Sequence, residues 1–187
     1  MILPIYAYGQ PVLTKIGADI TPEYDGLEKL LADMWETMYH AQGIGLAAPQ
    51  IGRSIRLFLV DTVQVMDEGE EADGVKQAFI NAQIIEESGK GWDYEEGCLS
   101  IPHIRGDVHR LETVTIKYFD ENFEEHTKTY SGVNARVIQH EYDHIDGKLF
   151  VDKLKPLKKK LISRKLESIK KGKVRADYRL RFVQPSR

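Results

Sequence analysis

Val133-Asn134-Ala135-Arg136-Val137-Ile138-Gln139-His140-Glu141-Tyr142-Asp143-His144-Ile145-Asp146, residues 133–146 of a 187-residue chain, reads as one helix. Val133, Val137, His140 and His144 recur at spacings of three and four, which stacks them on one helix face. Gly147 supplies a stop. Inside this helix lies His-Glu-x-x-His, residues 140–144. Two imidazoles four residues apart can grip one metal ion, while the Glu between them points toward water on that ion. Three fixed residues in five positions arise by chance in about one chain in a hundred of this length. The neighbouring Val137 and Ile138 argue against a bare pair of surface histidines.

A catalytic site of this kind takes three protein ligands and keeps one position open. One peptidase class finds its third ligand by extending the pattern to His-x-x-Gly-x-x-His. Here the extension starts at His144-Ile145-Asp146-Gly147 and fails at Phe150, which cannot ligate. Another class uses a Glu on a later helix. Glu167 is the only acid in the lysine-rich stretch 153–175 and reads more simply as a solvated partner of those lysines. Cys98 is the best remaining candidate, since a bound cation would hold it as thiolate. It is the single cysteine, so no intrachain disulfide framework exists.

Working outward, Leu27, Leu30, Leu31, Met34, Trp35 and Met38 mark an earlier helix. Thr21-Pro22-Glu23 resembles its start, with Thr as cap, and Gly43 follows its end near Ala41. Residues 55–61 read as a buried strand, and 64–77, with five acids and two glycines, as a solvated loop. Strand-like pieces follow at 78–82, 91–98, 105–110, 112–120 and 124–130, with a hairpin turn at Asp120-Glu121-Asn122. A last amphipathic helix, about 156–171, sets Leu157, Leu161, Ile162, Leu166 and Ile169 on one broad side and lysines on the other. Strands in the middle flanked by helices predict a single α+β domain over 1–187, with mixed or antiparallel sheets around the metal-binding helix and 153–187 as a basic C-terminal extension.

Hydrophobic residues make up 42% and charged residues 29%, an ordinary globular composition. No apolar run nears the roughly 20 residues of a membrane helix. The start, Met1-Ile2-Leu3-Pro4, lacks signal- or transit-peptide character, so a cytoplasmic location is expected. The net charge of −3 hides an asymmetry: residues 153–175 carry eleven Lys or Arg and one acid.

Three stretches carry a family resemblance. Gly43-Ile44-Gly45-Leu46-Ala47-Ala48-Pro49-Gln50, Glu96-Gly97-Cys98-Leu99-Ser100 and Gln139-His140-Glu141-Tyr142-Asp143-His144 are similar, in order and spacing, to the three signature motifs of peptide deformylases. The resemblance implies removal of the formyl group from the formyl-methionine of newly made proteins, with release of formate. It implies that Cys98, His140 and His144 bind one divalent ion, with Fe2+ as the natural metal. The donors themselves suit zinc, nickel or cobalt equally.

For the chemistry, it implies that Glu141 handles the proton of the attacking water. The side-chain amide of Gln50 and the backbone N–H of Leu99 would donate to the oxygen that gains charge. Gly43, Ile44, Gly45 and Leu46 would border the substrate. Ile44, Val133, Val137 and the His140 ring would line an apolar pocket for the methionine side chain, a role that core packing explains equally well for the two valines. Arg105 would meet the substrate backbone, and Glu96 would pair with Arg110 to brace the loop of Cys98.

The partners expected are formyl-methionyl nascent peptides, with neither membrane nor DNA; the basic C-terminal helix reads as a solvated face packed on the domain, the commoner case, or as a dock on the RNA of the ribosome. A monomer is expected. The rival readings are a metallopeptidase sharing the same motif and a non-catalytic RNA-binding module.

Overall fold

Leu57–Asp61 forms a strand, β3, that is buried at all five positions, so it needs cover on both faces. Its side chains alternate. Leu57 and Leu59 pack with Leu31, Met34 and Met38 of helix α1 (Leu27–His40). Phe58 and Val60 pack instead with Ala135 and Ile138 of helix α2 (Gly132–Ile145). The period of two along a strand thus sends the two helices to opposite faces of the sheet.

The structure, a computed structural model, describes residues 1–183. Its main sheet is antiparallel, in the order β2 (Gly45–Ala47), β3, β4 (Lys76–Cys98), β5 (Ile101–Phe119) and β6 (Glu125–Ser131). A small parallel pair joins β1 (Ile5–Tyr6) to β7 (Leu180–Arg181). Helix α3 (Pro156–Lys170) buries Ile162 and Ile169 against Ile104, Val108 and Phe150. This is the expected α+β arrangement, with α2 at its centre. Phe79 anchors the α2 side, its ring 4.8 Å from Phe58 and 4.4 Å from Tyr118. Burying such a ring contributes roughly 2–3 kcal/mol. No helix among the described residues is long and apolar enough to cross a membrane.

Four expectations are corrected. Helix α1 starts at Leu27 and not at Thr21-Pro22-Glu23, because residues 21–27 form successive turns and Gly26 sits at φ +71°, where a right-handed helix cannot pass. The separate pieces 78–82 and 91–98 are one 23-residue strand, β4, and 105–110 and 112–120 belong to the 19-residue β5. The mostly exposed stretch 83–90, which ends in Glu86-Glu87-Ser88-Gly89-Lys90, concealed the continuity; register shifts at 80/83, 84/86 and 88/91 let the strand bend through it. The turn at Asp120 does form, its Oδ1 accepting the N–H groups of Asn122 and Glu124. Leu157 and Leu161 do not join the buried side of α3; they are 71% and 69% exposed. The inward stripe is narrower, set by Ile162, Leu166 and Ile169 alone.

Helix α2 ends as its sequence requires. Gly147 lies at φ +71°, the Gly147 N–H donates to His144 O (3.2 Å), and the Lys148 N–H donates to Asp143 O (2.8 Å). A Cβ on Gly147 would also meet the Thr14 backbone at 2.7 Å. Gly147→Ala is therefore expected to lower unfolding stability by more than about 1 kcal/mol, read from urea denaturation; an unchanged midpoint would refute this account of the helix end.

Candidate metal centre

Burial alternates strictly along β5 from His103 to Arg110. Ile104, Gly106, Val108 and Arg110 face inward, while His103, Arg105, Asp107 and His109 face out. On β4, Glu96 is buried while its neighbour Glu95 is exposed. The two arginines therefore have different fates. Arg105 lies outside, its Nε 2.9 Å from Glu95 Oε1. Arg110 points inside, to Glu96 at 2.7 and 3.0 Å.

Cys98 ends β4 just before the turn Leu99-Ser100, and α2 brings His140 and His144 up to it. The three ligand atoms, one sulfur and two ring nitrogens, lie within 4.8 Å of one another. Cys98 Sγ is 3.3 Å from His144 Nε2. His140 Nδ1 lies 2.8 Å from Glu96 Oε2. A carboxylate only accepts, so Nδ1 carries the proton and Nε2 is left with a lone pair for a cation. Glu141 is buried and its Oε2 has no partner among the described residues, as is the case for His144 Nδ1. Thiol, two imidazoles and an orphaned carboxylate oxygen together fit a divalent ion with its water.

Around these groups the electrostatics are strong. Burial works against the ionised form of Glu96, but hydrogen bonds from His140 and Arg110 outweigh it and hold its pKa well below the usual carboxylate range. Burial pushes the Glu141 carboxyl up to about 7, against the pull of the His140 ring. Arg136 Nη1 adds a third contact to Glu96 (3.0 Å) and donates to Val108 O, while its plane covers the Trp92 ring at 4.6 Å. Arg110 Nη1 reaches Asp143 Oδ2 at 2.8 Å.

The first glycine-rich stretch lies against this cluster. Gln50 is fully enclosed in a short 3-10 turn, Ala48–Ile51. Its Oε1 accepts the Ala47 N–H (2.8 Å), which aims Nε2 at Cys98 Sγ (3.4 Å) and Ser100 Oγ (3.2 Å). Gly45 touches Glu141, and Gly43 touches the Leu99 side chain. Leu46 is buried in the α1 core, so any part it plays beside a substrate is through backbone. Ile44 and Val133 are half-buried and Val137 is buried, all in the cluster that holds Phe58 and Ile138.

The sequence reading missed Arg136, Asp143, Ser100 and Tyr178. A signal existed for Arg136, a charged residue set between the apolar Ala135 and Val137 of a core helix. Tyr178, which donates to Leu99 O at 2.8 Å, carried none.

Comparisons with known proteins point to one family. The family model described as Polypeptide deformylase matches residues 2–160. A peptide deformylase of Christiangramia forsetii is 55% identical, the alignment covering 97% of this chain and 96% of the relative. One of Flavobacterium psychrophilum is 52% identical with both chains covered in full. Among solved structures, a peptide deformylase from Legionella pneumophila superposes with TM-score 0.81 at 39% identity, covering 94% of this chain and 99% of its own.

Because Glu96 orients His140, Glu96→Gln should weaken Zn2+ binding by about 10- to 100-fold. Competition with a chromophoric chelator measures it, and unchanged affinity would show that Glu96 only braces the strand.

Proposed function

The chain belongs to the polypeptide deformylase family, and on that premise we propose which of its residues carry the reaction. The activity itself follows from membership: a metal-dependent hydrolase that removes N-formyl groups from nascent peptides. The observation that carries the residue assignment is the meeting of Cys98, His140 and His144 within 4.8 Å beside the unpartnered Glu141.

Cys98, His140 and His144 would hold the ion. When bound, it would lower the pKa of a water and polarise the formyl carbonyl. Glu141 takes one proton from the attacking water and returns it to the departing nitrogen as the formyl C–N bond breaks, leaving formate and a free amine. Its burial beneath Gly45 excludes bulk water from this proton and limits the distance it travels. Gln50 Nε2 has only a sulfur and a hydroxyl oxygen as partners. An N–H held by so weak an acceptor as sulfur is readily turned toward the formyl oxygen as its charge grows. The Leu99 N–H is the second donor in this scheme. Ile44, Val133 and Val137, which share one apolar cluster on the α2 side of the sheet, would offer apolar surface for the methionine side chain. Arg105, outward on β5 and restrained only by a surface pair with Glu95, is free to meet substrate backbone.

Fe2+ is the proposed metal: a thiolate with two imidazoles accommodates it, as it does zinc, nickel or cobalt. The cytoplasm, where formylated chains emerge, is the proposed location, with the protein acting as a monomer. The lysine-rich α3, with Leu157 and Leu161 exposed among its charges, supports docking on ribosomal RNA. Deleting residues 156–187 should abolish ribosome binding at low salt; equal binding without them would refute docking.

Anaerobic assay of formyl-Met peptide hydrolysis tests the catalytic scheme. Ferrous-loaded protein should release formate and chelated protein should not. Glu141→Gln should lose about 100- to 10,000-fold in kcat while keeping the ion, and Gln50→Ala about 100- to 1,000-fold. Wild-type turnover by Glu141→Gln would overturn the assignment.

A further inference from the structure

Leu99-Ser100 is a two-residue connection between the paired residues Cys98 and Ile101. Tight hairpins of this length favour turns with positive φ, because their twist then matches that of the strands. Neither Leu99 nor Ser100 has positive φ, and neither is a residue that suits such a turn. Just beyond, the register jumps: Gly97 pairs with Arg105, so Pro102, His103 and Ile104 bulge from β5, with His103 at φ +63°. The local sequence gives this corner little reason to hold one conformation. Bonds from outside must hold it.

Four such bonds exist. The Tyr8 N–H donates to Ser100 O (2.8 Å) and Gln50 Nε2 to Ser100 Oγ (3.2 Å). The Tyr178 hydroxyl donates to Leu99 O (2.8 Å). His103 Nε2 donates to Arg175 O (2.6 Å), which pins the bulge. Two of the four come from one segment, residues 172–183, beyond the 2–160 covered by the family model. The chain reaches that position because α3 ends in a reversal at Gly172, φ +70°, with the Gly172 N–H on Ile169 O and the Lys173 N–H on Ser168 O. It then runs back across the corner and adds β7 beside β1, the Ile5 N–H donating to Arg179 O (2.9 Å) and the Ala7 N–H to Arg181 O (3.0 Å). Tyr178 is half-buried and packs in the same cluster as Leu99. Burial holds its phenol above the ordinary pKa, so it remains a donor.

We infer that Tyr178 is a positioning residue for the reaction: by fixing the Leu99 carbonyl it fixes the turn from which the Leu99 N–H meets the formyl oxygen. The C-terminal strap 172–183 is then a working part of the site. The inference rests on Leu99 acting as the donor proposed above. A donor that acts on developing charge affects the transition state more than the bound substrate. Loosening it should therefore lower kcat and leave KM nearly unchanged.

The test is Tyr178→Phe in the full chain, which removes one oxygen and keeps the ring. With the ferrous protein and a formyl-Met tripeptide, kcat should fall about tenfold, as loss of one ordinary hydrogen bond implies, with KM within about twofold. Amide hydrogen exchange in residues 98–101 should quicken while α2 stays protected; this readout needs no turnover. Metal content should match the wild type, and the melting temperature should fall by no more than roughly 4 °C, the shift that one lost hydrogen bond produces. A kcat within twofold of wild type overturns the inference, as does a parallel loss of metal and melting temperature, which would make the strap a folding element only. An inactive wild type under the same conditions would strike at the proposed function instead, and the exchange measurement would still report on Tyr178.

Discussion

The Glu96 carboxylate is the constraint on which the site depends. Each of its oxygens accepts two hydrogen bonds. Oε1 takes them from Arg110 Nε and Arg136 Nη1, and Oε2 takes them from Arg110 Nη2 and His140 Nδ1. A buried carboxylate left short of partners would cost several kcal/mol, so the full set is a condition for placing charge there at all. Arg110 extends the network to Asp143, so two acids and two guanidinium groups form a neutral buried group. These contacts join β4, β5 and α2, the three elements that must agree before Cys98 and His140 can face each other. His140 receives its orientation from the same carboxylate, so ligand geometry and strand-to-helix docking are set by one interaction.

That coupling explains why the hairpin of β4 and β5 is so long. A ligand at the very end of a short hairpin would share the mobility of a loop tip. Here the two strands pair from Ile80/Phe119 to Cys98/Ile101, and the tip is held by Tyr8 just after β1, the Gln50 turn and the returning C-terminal chain. Cys98 is thus a loop-end residue on a rigid support. Bulges along the way bend the ladder without breaking it, and this bending lets one hairpin serve both the aromatic core at Phe79 and Cys98, the proposed metal ligand, some twenty residues later.

Much of this was legible in the sequence, for physical reasons that differ by element. Helix α2 was readable because its apolar and histidine positions follow one period and Gly147 closes it. The site was readable because three motifs each restrict residue type at fixed spacing. The beginning of α1 was not, because Thr21-Pro22-Glu23 carries cap-like chemistry that a left-handed Gly26 nullifies. Residues 83–90 did not read as strand because most of that part of β4 is solvent-facing, and polarity then reports exposure and not backbone conformation. Leu157 and Leu161 were misplaced because helical periodicity marks an apolar stripe but not how much of it finds cover. Tyr178 was beyond reach: a single hydroxyl bond across 79 residues leaves no pattern in either stretch.

The glycine-rich motif and the His-Glu-x-x-His motif are best understood as one device. A Cβ at Gly45 would lie 2.4 Å from Glu141 Oε1, so the strand bearing Gly45 can lie against the carboxylate only without a side chain there. That contact makes the carboxyl a buried group, which raises its pKa to about 7. A cation at Cys98, His140 and His144 acts in the opposite sense and favours the ionised form. A general base is most useful with a pKa near the working pH, and burial and a cation act on the Glu141 carboxyl in opposite directions. Any larger residue at 45 would force Glu141 toward solvent or away from the histidines. Either movement gives up the short proton path that the fold brings three distant stretches of chain together to make.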